Sequence, residues 1–113
     1  MTGSSSDWEA KVELSLARLA QDRQTITYAA LADEAGIPAP HRIHKLTVFL
    51  ETLMECDARL EMPQRSAVVV SRTNGLPGNG FFDKLHELGL MSAEENRHDL
   101  HNRMMAALNS SRP

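Results

Sequence analysis

Five histidines, one cysteine, several paired carboxylates and a cluster of cations are the residues of this sequence that could do chemistry. His41 and His44 stand three apart, as do His98 and His101, with Glu94, Glu95 and Asp99 close to the second pair. On a helix that spacing sets two imidazoles side by side. Two histidines and a carboxylate are enough to begin a zinc or iron site. The metalloprotease arrangement, two histidines four apart with a glutamate between them, is absent. The spacing fits exposed histidines on helix surfaces, and no metal is assigned.

Nucleophilic chemistry fares no better. Cys56, the single cysteine, excludes an internal disulfide and a cysteine-rich zinc site, and its surroundings read as a long helix. No serine sits in a strand-turn-helix elbow. Asp33-Glu34 and Glu94-Glu95 are adjacent pairs, so their side chains splay around a helix and face solvent. The glycines at 75, 78 and 80 are not followed by Gly-Lys-Ser/Thr, so they read as turn residues rather than a phosphate cradle. The sequence therefore predicts no enzyme and no cofactor.

The cations remain. His41, Arg42, His44 and Lys45 lie in a stretch from Ala35 to Leu50 that holds no acidic residue, in a chain of net charge −3. A basic helix start of this kind suits phosphates and base edges. An isoelectric point near 5.9 argues against non-specific coating of nucleic acid but leaves room for a local basic patch. Any surface helix carries some Arg and Lys, and helix-turn-helix units also contact proteins, so a protein-interaction module is the alternative.

Residues 25–47 must position those cations. Thr25-Ile26-Thr27 is β-branched and reads as a short strand. Thr27 is placed to cap a helix over 28–35, in which Leu31 and Ala35 share a face and Ala32 allows a close crossing. Gly36 can take the left-handed conformation that ends it, and Ile37 turns inward. Pro40 is expected to open the next helix, over 40–60, with Ile43, Leu46, Leu50, Leu53 and Met54 facing in and Pro63 ending it. Two helices joined by a glycine-containing turn make a helix-turn-helix.

The flanking elements follow from periodicity. Trp8, Val12, Leu16 and Leu19 predict a helix over 8–21, opened by a capping box at Ser6 and Glu9. The Val68-Val69-Val70 run predicts a strand within 66–72, buried on both faces and paired with 25–27. Asn74-Gly75 and Pro77-Gly78 predict a hairpin tip, a wing with Arg72 at its base. Phe81, Phe82, Leu85 and Leu88 predict a helix over 80–88 ended by Gly89. Ser92 and Glu95 form a second capping box before a helix over 93–108.

The 113 residues suit one domain, 7–109, between a small polar N-terminal segment (1–6) expected to be disordered and a tail at 110–113. Apolar residues at 42% and charged residues at 24% are ordinary for a globular domain. No apolar run reaches membrane-spanning length and no secretory leader is visible, so a cytoplasmic location is expected.

Thr27-Tyr28-Ala29-Ala30-Leu31-Ala32, Ala35-Gly36-Ile37-Pro38 and Arg42-Ile43 resemble the winged-helix domain of alkylguanine-DNA alkyltransferases and alkyltransferase-like proteins. The resemblance covers 27–43. It implies DNA binding in which Tyr28 presses on a phosphate beside an extruded nucleotide and Arg42 enters the stack. The family's methyl-accepting members carry Pro-Cys-His-Arg, whereas Met62-Pro63-Gln64-Arg65-Ser66-Ala67 stands here, without Cys or His. Cys56 lies too early and inside a helix. The resemblance thus implies recognition without alkyl transfer.

The expected fold is mainly α with a small β-sheet, a winged helix-turn-helix. The expected function is non-enzymatic DNA binding through Tyr28, His41, Arg42 and Lys45, with Arg72 on the wing. The alternative is a homodimer or protein partner held by the C-terminal helices and a face of Met91, Met104 and Met105.

Overall fold

A computed structural model describes residues 4–110. Five α-helices and one short parallel sheet make up the described residues: α1 (Ser4–Asp22), β1 (Ile26–Thr27), α2 (Tyr28–Ala35), α3 (Arg42–Arg59), β2 (Val69–Val70), α4 (Asn79–Glu87) and α5 (Arg97–Ser110). A 3₁₀ turn over Arg65–Val68 precedes β2. The fold is therefore mainly helical with a small sheet. Of the expected N-terminal segment, residues 1–3 lie outside the described residues, and Ser4 already belongs to α1. Residues 111–113 of the expected tail also lie outside them, and Ser110 ends α5.

Local chemistry accounts for most boundaries. Thr27 Oγ1 accepts from the Ala30 amide at 3.2 Å and starts α2. Gly36, at φ 72°, ends it, and the Ile37 amide donates back to Ala32 O at 3.1 Å. The next helix starts later than expected. Pro40 does not open it: Pro40 follows a cis bond from Ala39, His41 is left-handed at φ 61°, and α3 begins at Arg42. α5 also starts late, because Asn96 Oδ1, rather than Ser92, accepts from a first-turn amide, that of Asp99, at 3.1 Å. Half of the expected capping box survives ahead of it, with the Ser92 amide donating to Glu95 Oε1 at 3.0 Å.

The sheet joins Ile26 to Val69 and Thr27 to Val70 in parallel. Val68, Val69 and Val70 are all buried, as their continuous run implied. The expected hairpin does not form among the described residues. After β2 the chain closes a tight turn, with the Gly75 amide donating to Ser71 O (3.0 Å) and the Ser71 amide to Leu76 O (2.7 Å), and then enters α4. A parallel pair needs its crossover between the strands, so the residues after β2 are free to lead into a helix rather than return as a third strand.

The core gathers the stripe of α1 (Trp8, Val12, Leu16, Leu19), Leu31, Ala32 and Ala35 of α2, and Leu46, Leu50, Leu53 and Met54 of α3. Ile43 was expected among them, but it lies in the first turn of α3 and is 44% exposed. Of the expected methionine face, Met91 is buried, and Met104 and Met105 are half-buried and pack against the core. The 3₁₀ turn sits among α1, α3 and α5. Its polar anchors are internal: Ser66 Oγ donates to Leu50 O (3.1 Å) and Gln64 Nε2 to Met54 O (3.1 Å).

Candidate nucleic-acid interface

The corner between α2 and α3 is built from backbone carbonyls and two cations. Ile37 turns into the core and leaves its carbonyl, with that of Pro38, facing the start of α3. Arg42 Nε donates to Ile37 O at 2.7 Å, and Lys45 Nζ to Pro38 O at 2.9 Å. Arg42 Nη1 also meets Asp33 Oδ1 at 2.8 Å. The Arg42 side chain is 37% exposed and that of Asp33 71%. Both cations therefore serve the turn and remain at the surface. A guanidinium carries five N–H donors and an ammonium three, so further donors are left for a second partner.

His41 is exposed beside them and makes no side-chain cap, although its carbonyl accepts from the Lys45 amide at 2.9 Å. No acidic residue lies in the first turn of α3. Outward from this corner, His44 and Val48 are exposed and border a shallow groove with Trp8 and Phe49. Those two rings meet edge to face, 5.6 Å between centroids. Carboxylates bound the cationic stretch on three sides: Asp33 against Arg42, Glu9 in that groove, and Glu51 further along α3.

Tyr28 and Arg72 lie elsewhere. Tyr28 opens α2, and its hydroxyl accepts from the Gly78 amide at 2.9 Å. Burial raises the Tyr28 pKa above its ordinary 10.0, and the Gly78 bond partly offsets this. The ring borders a cavity of about 20 Å³ with Met54, Ser66 and Phe81. That space suits a water molecule and excludes a nucleobase. Arg72 is exposed on the turn after β2, the same segment that supplies Gly78. The structure thus gathers His41, Arg42 and Lys45 at one corner, and joins Tyr28 to the Arg72-bearing segment through Gly78.

Several site features escaped the sequence reading. Asp33 and Glu34 are both exposed, as expected, yet each has a partner: Asp33 holds Arg42, and Glu34 accepts from the Ser15 hydroxyl and from Arg18 Nη2. No periodic rule links residues 33 and 42, since a turn of fixed geometry intervenes. Asp57 is 2% exposed and grips Arg65, a pair that no spacing in the sequence singled out. His101, expected at the surface, is 6% exposed with Nε2 against Ala67 O at 2.8 Å. Among the described residues no three His, Cys, Asp or Glu side chains are grouped to hold a metal ion, and no helix is long and apolar enough to cross a membrane.

Comparison with known protein families, curated proteins and solved structures finds no match to this chain.

Proposed function

We propose that this chain binds duplex DNA as a non-enzymatic protein of winged helix-turn-helix type, with the first two turns of α3 as the reading element. One observation carries the proposal: the acid-free start of α3 stands at the surface with Arg42 and Lys45 held in place by carbonyls of the preceding turn. Cations fixed in this way lose little side-chain entropy on meeting a phosphate. His41 and the amides of the first turn, which no side chain caps, add further donors. His44 and Val48 face outward from the same turns and are the groups placed for base edges. Arg72, exposed on the turn after β2, supplies a further phosphate contact.

The base-extruding roles that the resemblance implies for Tyr28 and Arg42 require both side chains to leave the bonds they make here. The proposal therefore concerns intact duplex, with most affinity coming from phosphates.

A gel shift on random-sequence duplex, repeated over a salt series, tests it. Three or four phosphate contacts predict a slope of log K against log salt of roughly −3. His44→Glu combined with Val48→Glu should abolish the shift and leave the thermal midpoint unchanged, because neither side chain is buried. No shift at low salt, or a shift that the double variant retains, overturns the proposal.

A further inference from the structure

A second polar site lies away from α3, where α5 faces the turn after β2 and the end of α1. The cleft there has a volume of about 500 Å³, and its lining includes Arg23, Asn74, Leu76, His98, His101 and Asn102. That is the size of small-molecule sites in general. No carboxylate lines it, although the chain holds 15 Asp and Glu.

His101 gives the cleft a defined chemistry. Ala67 O can only accept, so Nε2, 2.8 Å away, carries the ring proton. Nδ1 is then a bare acceptor in the neutral ring, and it makes no hydrogen bond among the described residues. It also keeps solvent contact, since Gln64 Oε1 is the sole fully covered side-chain polar atom without a partner among those residues. The residue is 6% exposed and lines the cleft. In the neutral tautomer that Ala67 O selects, the ring offers a buried acceptor for an O–H or N–H donor from a ligand.

The other groups set the rest of the ligand. Arg23 is held in place by its backbone: it is left-handed at φ 58° where α1 ends, with its own amide donating to Ala20 O and that of Gln24 to Leu19 O. Its side chain and His98 are exposed at the cleft and suit an anion. Asn74 Oδ1 is already engaged by the Leu76 amide at 3.1 Å, which leaves its NH₂ for a ligand oxygen. Leu76 is buried and Met105 half-buried, an apolar floor for a flat ring.

We propose that this cleft binds a nucleoside monophosphate, with phosphate at Arg23 and His98 and a hydroxyl or ring N–H donating to His101 Nδ1. The site is independent of the DNA-binding surface and stands or falls without it.

Calorimetric titration of the full chain with AMP tests the assignment, with adenosine and inorganic phosphate as separate arms. AMP should bind with a Kd below about 1 mM, and adenosine and phosphate each at least about tenfold more weakly. Arg23→Asn, which keeps the left-handed backbone, and His98→Ala should each weaken AMP about tenfold at unchanged thermal midpoint. Nitrogen-15 spectra should show His101 Nδ1 moving on AMP addition, a readout that needs no His101 variant. Absence of binding at about 10 mM AMP, phosphate or adenosine binding as tightly as AMP, or binding indifferent to both variants overturns the proposal.

Discussion

The two ends of α3 are tied down by opposite means. At its start, Arg42 and Lys45 bond to carbonyls five and seven residues earlier, and both side chains stay at the surface. At its end, Asp57 is 2% exposed and accepts from Arg65 Nε at 3.0 Å and from the Arg65 amide at 3.0 Å, while Arg65 Nη1 reaches Glu13 of α1 at 3.2 Å. The first seam is local, and solvent can replace its bonds. The second joins α1, α3 and the 3₁₀ turn, and its carboxylate has no water to fall back on. A helix with one buried ionic anchor can leave its other end outward without losing its place.

Breaking each seam measures that difference. Arg65→Ala leaves the Asp57 carboxylate buried with only the Arg65 amide, and should cost about 3 kcal/mol in urea unfolding. Arg42→Ala should cost about 1 kcal/mol or less, because its guanidinium and Asp33 are both well exposed. Equal losses would mean that the start of α3 is held as firmly as its end.

The contrast also marks what was legible in the sequence. Local chemistry read well: Thr27 as a cap, Gly36 as a left-handed stop, Gly89 ending α4 at φ 75°, and the buried valines. Apolar spacing placed α1 and the Leu46–Met54 stripe of α3. Features that depend on partners far along the chain did not read. The Asp57–Arg65 pair did not read, because it forms only where the chain after Pro63 brings Arg65 back onto α3. His101 looked exposed until the 3₁₀ turn laid Ala67 O against it. Arg42 and Lys45 were legible as cations at a helix start, whereas their bonds to the turn depend on its three-dimensional path.

Tyr28 is an intermediate case, half-buried and joined to the turn after β2. Tyr28→Phe removes the acceptor of the Gly78 amide and should cost about 1 kcal/mol. It should also change the alkaline limb. Burial raises the folded-state pKa above 10.0, so folding favours the neutral phenol. That stability is complete below the unfolded pKa and is lost as pH rises from 10.0 through the folded value. The difference between wild type and Tyr28→Phe should therefore narrow above pH 10, read from urea midpoints.

The smallest effect expected is at Glu34, where α2 meets α1 at the surface. The Ser15 hydroxyl first, and then Arg18, hold its carboxyl below the ordinary 4.5. A depressed folded pKa contributes stability that is present above the unfolded value and fades as pH falls through the folded one. Acidification from pH 4.5 protonates the unfolded chain first and draws the equilibrium toward it. Other carboxylates titrate in the same window, Glu55 beside Lys84 among them, so the total slope does not isolate Glu34. Ser15→Ala does, because Ser15 is 5% exposed and its hydroxyl is the largest cause of the shift. Wild type should exceed Ser15→Ala in urea midpoint at pH 7, and the gap should close below pH 4.5. A gap unchanged down to pH 3 would mean that Ser15 acts through packing alone, and that α2 is fastened to α1 without help from charge.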